Sequence, residues 1–193
     1  MLLALTGKRY VGKSTIADVL VAEYGFTKLH AFGAGKVMVV AYYQHLGIDP
    51  ETAYRLVYGD LKDTPHPLIP GDGLSRTFME KLGYHMGVDM GCEYTLGAEY
   101  RRAKTLNPEA RFIIESMVYE APYFKKLGGI LIRVTRESAF SVQGIHTDAA
   151  VAAIPHDVLF NNIGPKSELD IALHGLLHDP VIYDHDWSKC GQV

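Results

Sequence analysis

Apolar positions along this chain follow two rhythms, short unbroken runs and stretches at helical spacing, and these mark out the elements. Leu2-Leu3-Ala4-Leu5-Thr6 is an apolar run of the length expected for a strand buried in a parallel sheet. Thr15 to Tyr24 carries apolar residues at helical spacing and stops at Gly25, a C-cap residue. Phe26 to Phe32 reads as a second short strand. After Gly33-Ala34-Gly35, Lys36 to Leu46 reads as a helix closed by Gly47, its apolar positions so nearly continuous that much of it is expected inside. Asp49-Pro50-Glu51 has an N-cap followed by proline at the first helical position, which predicts a helix to about Val57. Residues 58–73 are rich in proline and glycine and read as a long irregular loop, of the kind that is usually functional or mobile. Leu74 to Met86 is amphipathic, with Phe78, Met79, Leu82 and Met86 on one side, and Glu93 to Lys104 gives another helix.

The second half alternates strand and helix. Arg111 to Glu115 is a buried-strand pattern ending in a carboxylate. Tyr119 to Leu127 reads as a helix with Pro122 in its first turn. Ile130 to Thr135 is the next strand, Asp157 to Asn161 the last, and Glu168 to Leu177 the last helix. Residues 136–154 lack a clear period and are a candidate lid. Strands separated by helices predict an α/β fold with a mainly parallel five-stranded sheet and helices on both faces. Ligands of such sheets bind at the carboxyl ends of the strands, which places the glycine loop after the first strand, Glu115, Arg136 and Asn161 along one edge.

Composition narrows the classes. The 193 residues suit one domain, with residues 36–104 as a helical insertion and 179–193 as a solvated tail outside the domain at 1–178. Apolar residues make up 48% and the net charge is −3, so neither wholesale disorder nor nucleic acid as the main partner is expected. Cys92 and Cys190 lack a metal-ligand spacing and are too few for a disulfide framework, which fits a reducing, cytoplasmic setting. No apolar run is long enough to span a membrane. The first apolar run is too short for a signal peptide. A homodimer is compatible with the sequence, which does not set the oligomeric state.

The candidate chemistry lies in Gly7-Lys8-Arg9-Tyr10-Val11-Gly12-Lys13-Ser14, a full match to G-x-x-x-x-G-K-[ST] between a strand and a helix. Glycines let the backbone approach phosphate oxygens, and the helix start adds partial positive charge. Lys13 supplies a cation for the β- and γ-phosphates, and the Ser14 hydroxyl can ligate Mg²⁺. The ligand expected is a nucleoside triphosphate with Mg²⁺, held by Gly7 to Thr15. A chance glycine turn before a helix is the competing reading.

Further residues carry a resemblance. Leu5-Thr6-Gly7-Lys8-Arg9 with Gly12-Lys13 and Ala17-Asp18, then Tyr58-Gly59-Asp60-Leu61-Lys62, then Arg76 with Met79 and Leu82-Gly83, resemble segments of bacteriophage-type deoxynucleoside monophosphate kinases. Leu127-Gly128-Gly129 with Arg133-Val134 and Arg136, His146, Asp157 with Asn161-Asn162, and Ser167-Glu168-Leu169 extend it over about residues 1–178. Departures occur too. Glu115 is followed by Ser116 and Met117 where the family has an arginine, Gly83-Tyr84-His85 replaces Gly-Thr-acid, Tyr94 stands for a tryptophan, and the acid after the lid histidine is displaced to Asp148.

The resemblance implies a P-loop NTPase-type fold and transfer of the ATP γ-phosphate to a (deoxy)nucleoside monophosphate, in a host cytoplasm if the chain is phage-encoded. Such transfer needs several cations around the phosphates, and Lys13, Arg9, Arg76 and Arg136 are the candidates. Arg76 would clamp the monophosphate, and Arg136 and Asn161 would face ATP. Glu115 would hold Mg²⁺ through water or contact the acceptor, with Lys36, Lys62 and Tyr94 beside it. The plain alternatives are a solvated helix arginine for Arg76, a strand-end carboxylate for Glu115, surface lysines for Lys36 and Lys62, and a structural ion pair for Arg133. Two other functions remain open, a kinase of another small acceptor resembling dephospho-coenzyme A kinases and a noncatalytic nucleotide switch.

Overall fold

The computed structural model describes residues 1–136 and 151–191. The candidate lid at 136–154, with His146 and Asp148, lies largely outside the described residues. The chain forms two compact units, Met1–Ala31 with Tyr100–Val193, and Phe32–Glu99.

The first unit is built on a five-stranded sheet in the order β2-β3-β1-β4-β5, with every neighbouring pair parallel. Its strands are β1 (Leu2–Thr6), β2 (Phe26–Leu29), β3 (Arg111–Ile114), β4 (Ile130–Thr135) and β5 (Val158–Asn161). β1 is the middle strand, and all five of its residues are buried. That is why it reads as a continuous apolar run rather than an alternating one. Helix α1 (Lys13–Tyr24) ends at Gly25, whose left-handed backbone lets its N–H reach the Leu20 carbonyl. Leu3, Leu5, Ile113, Ile130, Ile132 and Val134 of the sheet pack with Ile16, Ala17 and Leu20 of α1 and with Leu169, Leu173 and Leu176, which lie on the helix Leu169–Leu177. On the alternate positions Tyr100, from α5 (Leu96–Leu106), meets Phe112 edge-on at 5.7 Å. Helices therefore cover both faces. The short α6 (Ala121–Lys126) carries Pro122 in its first turn, as expected, and the helix at Leu169–Leu177 is α7.

The expected solvated tail is not one. Helix α8 (Pro180–Tyr183) is capped by Asp179, whose carboxylate accepts the Val181 N–H at 2.9 Å, and Ile182 is fully buried in the sheet core. The Gly191 N–H donates to the Leu127 carbonyl at 2.9 Å, and the Cys190 thiol donates to the Gly128 carbonyl at 2.9 Å. Ile182, with the partly buried Trp187 packed against the same core, docks a segment whose composition suggests solvent.

The second unit is helical. It contains α2 (Gly33–His45), α3 (Pro50–Tyr58) and α4 (Ser75–Tyr84) around a core of Val39, Tyr43, Ile48, Ala53, Leu56, Val57 and Ile69. Asp49 caps α3 by accepting the Thr52 N–H at 3.0 Å, with Pro50 at the first position, as the sequence predicts. α2 differs from expectation. Only Gly35, Val39 and Tyr43 are buried, while Val37 and Met38 are 64% and 52% exposed. The unit covers one stripe of this helix, and the composition of the other stripe gave no sign of it. The proline-rich stretch is more ordered than an irregular loop. Asp60–Asp63 forms a 3₁₀ turn, the His66 N–H donates to the Gly73 carbonyl at 2.9 Å, and Ile69 inserts into the core. The expected helix from Leu74 to Met86 ends at Tyr84 and passes into a π-turn, His85–Met90. Glu93 lies in a 3₁₀ turn, Cys92–Tyr94, ahead of α5.

Candidate functional site

The carboxyl ends of β1, β3, β4 and β5 bring together the loop at 7–12, Glu115, Arg136 and the pair Asn161-Asn162, as strand polarity requires. The loop is shaped by what cannot fit in it. Gly7 has φ +145°, and a β-carbon there would sit 2.4 Å from the Val134 carbonyl oxygen. Gly12 has φ +95°, and its β-carbon would sit 2.4 Å from Asn162 Nδ2. Both positions require glycine on conformational and steric grounds. Tyr10 also takes a left-handed backbone, φ 62°, with its ring exposed. Val11 anchors the loop from beneath, with its side chain buried in the sheet core.

Lys13 Nζ folds over the loop and donates to the carbonyls of Gly7 and Lys8 at 2.8 and 2.7 Å. A cation held at the loop's rim in this way neutralises the carbonyl dipoles that would repel an anion. α1 begins at Lys13 with Gly12 as N-cap, no capping side chain and no acid in its first turn. The helix's partial positive charge is thus uncompensated by carboxylates of its own first turn. Lys8, Tyr10 and Ser14 are exposed, and Arg9 and Thr15 are half-buried.

Glu115 follows β3, and its N–H donates to the Leu29 carbonyl at 3.2 Å. Its carboxylate lies 3.7 Å from Lys28 Nζ, which also contacts Asp18 at 2.6 Å. The hydrogen bond to Asp18, with help from the Glu115 charge, raises the lysine above its ordinary range, so this cation is firmly held. Beyond Glu115, the Met117 side chain is buried. Its N–H donates to the Leu5 carbonyl at 3.0 Å, and its carbonyl accepts from Thr6 Oγ1 at 3.2 Å. Glu120 is buried as well, with the backbone N–H groups of its own residue, Val118 and Tyr119 favouring its charged form. Burial nevertheless pushes its pKa up.

Strand polarity places Asn161 at this edge, where its Oδ1 accepts from Thr135 Oγ1 across β4 and β5 and the residue lines the hollow beyond β5, while the neighbouring Asn162 reaches the loop. Asn162 is buried, its Nδ2 donates to the Val11 carbonyl at 2.8 Å, and its backbone N–H donates to the Thr135 carbonyl at 2.8 Å. The residues that follow line a hollow of about 300 Å³ with Phe160, Pro165, Leu169, Ile171 and Ala172. Ile163 and Ile171 at its rim are highly exposed. Arg136 follows β4 and is exposed. Among the described residues Arg133 makes no ion pair of the sort expected. Its guanidinium donates to the carbonyls of Val151, at 3.1 Å, Ala152 and Ile154, while Nε is buried and has no hydrogen-bond partner among the described residues.

In the helical unit Arg76 forms a two-point ion pair with Asp63, Nε to Oδ1 and Nη2 to Oδ2, the second at 2.6 Å. Lys36, in the first turn of α2, stands over the Tyr58 ring, 5.5 Å from its centre. Lys62 is half-buried in the 3₁₀ turn, and Tyr94 is exposed. No group of three or more His, Cys, Asp or Glu residues fit to hold a metal occurs among the described residues. The oxygens present, the exposed Ser14 hydroxyl and the Glu115 carboxylate, suit a hard cation that takes most of its ligands from phosphates and water. Among the described residues no helix is long and apolar enough to cross a membrane.

No protein-family model matches the chain, and no curated protein matches its sequence. The sequence offers Asn162 only within the resembling closing segment, with no role attached, and does not mark the Val134 carbonyl or the hollow beyond β5. The Asn-Asn doublet after a strand was a usable signal, because two adjacent residues leaving a strand point to opposite sides and only one can face the loop.

Proposed function

We propose that the chain is a Mg²⁺-dependent kinase of the P-loop NTPase type that moves the ATP γ-phosphate to a (deoxy)nucleoside monophosphate. The observation that carries this reading is the loop from Gly7 to Lys13. A β-carbon on either glycine would fall 2.4 Å from a neighbouring atom, a lysine rests on the rim, and the helix start carries no side-chain cap. Such a loop is suited to a polyphosphate and to little else.

The hollow beyond β5 supports a nucleoside rather than a bare polyphosphate, since its largely apolar lining, with Asn161, Asn162 and Glu168 among it, can take a base ring and its polar edge. Ser14 and Glu115 would hold Mg²⁺, which when bound spreads charge over the β- and γ-phosphate oxygens. The chain's own part is to bind and orient. Lys13 holds the transferring phosphoryl group, and Arg9 and Arg136 add positive charge at this edge. Arg76 in the helical unit is the acceptor clamp by resemblance, with Lys36, Lys62 and Tyr94 as its companions. Met117, buried where the resembled family has arginine, favours the second reading, a nucleotide binder without transfer.

The test is an ADP-release assay with ATP, Mg²⁺ and a panel of nucleoside monophosphates and dephospho-coenzyme A. The kinase reading expects acceptor-dependent turnover with at least one monophosphate, abolished in Lys13→Ala, whose circular dichroism and melting stay those of the parent. Turnover only with dephospho-coenzyme A would move the acceptor class. ATP binding without turnover on any acceptor leaves the binder.

A further inference from the structure

Asn162 touches three elements that face the proposed nucleotide. Its Nδ2 donates to the Val11 carbonyl at 2.8 Å, its N–H to the Thr135 carbonyl at the end of β4, and its side chain forms part of the hollow's wall. The Nδ2–Val11 bond joins residues 151 positions apart and is buried. In a trans peptide the carbonyl of one residue and the N–H of the next point in opposite directions. Pinning the Val11 carbonyl towards Asn162 therefore turns the Gly12 N–H away from Asn162. The bare Gly12 α-carbon is what allows the amide to lie this close, since a β-carbon would fall 2.4 Å from Nδ2. The side chain thus holds the rotation of the 11–12 peptide plane from outside the loop.

We infer that Asn162 is a positioning residue for polyphosphate binding, aiming the Gly12 N–H at the ligand's phosphate oxygens by holding the Val11 carbonyl. The inference rests on the reading of this loop as a nucleotide site. It assigns to the end of β5 a part in phosphate affinity, distinct from any contact with the base. An amide is suited to the task because it donates one directed hydrogen bond without adding charge beside the phosphates. Aspartate, of the same shape, presents only acceptors to the Val11 carbonyl and loses the tie.

Asn162→Asp and Asn162→Ala are compared with the parent by calorimetric titration of Mg-ATP and of inorganic tripolyphosphate, with the Gly12 amide resonance followed by NMR. Both variants should lose about tenfold in affinity, the scale of one aligned hydrogen bond, and by the same factor for both ligands. The downfield shift of the Gly12 amide on adding tripolyphosphate should shrink in both. A loss for ATP with tripolyphosphate unchanged places the effect at the base and overturns the inference. So does unchanged binding of both ligands, or an undiminished Gly12 shift. If both variants unfold, Asn162 is a structural tie and the inference is wrong. A parent protein that binds neither ligand sinks the nucleotide reading itself, an outcome the variants cannot imitate.

Discussion

Gly7 and the Val134 carbonyl stand so close that a β-carbon on Gly7 would be 2.4 Å from that oxygen. The loop therefore leaves β1 pressed against the backbone of β4, and the sheet's register fixes where the glycine loop starts. Gly7 also has φ +145°, where any side chain is strained. Gly7→Ala combines the two penalties, and a cost of roughly 2–4 kcal/mol is expected. Urea unfolding reads the stability, and an ATP titration reads the loop. A variant as stable as the parent with full ATP affinity would show that the loop can relax off Val134.

Arg76→Ala tests the acceptor side. A guanidinium meeting a phosphate through two charge-assisted hydrogen bonds is worth about 1.5–3 kcal/mol, so the monophosphate's KM should rise roughly ten- to a hundredfold. ATP affinity should hardly change. Asp63, which grips the Nε and Nη2 edge of Arg76, sets its rotamer, and Asp63→Ala should give a smaller rise in KM. Little stability is at stake in either variant, because the pair is partly exposed and such pairs are worth at most about 1 kcal/mol. Collapse of ATP binding with retained acceptor binding would put Arg76 on the wrong ligand.

What was legible follows from which signals are local. β1, α1 and β4 were readable because unbroken apolar runs and a glycine stop are written within single segments, and β4 agrees to the residue at Ile130–Thr135. The motif at 7–14 was readable for the same reason, since its geometry depends on its own glycines. Contacts made across the fold were not. Nothing near Val11 marks Asn162 as its partner, and nothing in α2 says that Val37 and Met38 face outward while Val39 and Tyr43 face in. The tail shows the limit most clearly. A polar stretch with histidines and aspartates carries a single isoleucine whose partners lie on other elements.

That isoleucine can be weighed. Ile182 is fully buried with Leu169, Leu173 and Leu176 in the sheet-core cluster, and Ile182→Ala removes buried methyl groups and leaves a void. A loss of about 2–4 kcal/mol is expected in chemical denaturation. Binding at the opposite, carboxyl end of the strands should survive wherever the variant is folded. A loss under about 0.5 kcal/mol would return the segment to the status of a solvated tail.

Glu120 makes the last prediction, which concerns pH. Its carboxyl is buried, and desolvation raises its pKa above the ordinary glutamate value even though backbone N–H groups of Glu120, Val118 and Tyr119 favour its charged form. The folded protein thus binds this proton more tightly than the unfolded chain does. Stability then falls as pH rises from the ordinary glutamate pKa, about 4.3, through the raised folded one. Below that window the group is protonated in both states and contributes no pH dependence. Glu120→Gln keeps the shape and one acceptor for the N–H groups but never charges. Its melting temperature should match the parent's at the acidic end and exceed it by a few degrees near neutral pH, the gap opening across that window. If the parent instead gains stability relative to Glu120→Gln as pH rises, the N–H groups outweigh burial. The carboxylate would then be a stabilising anion in the turn after β3.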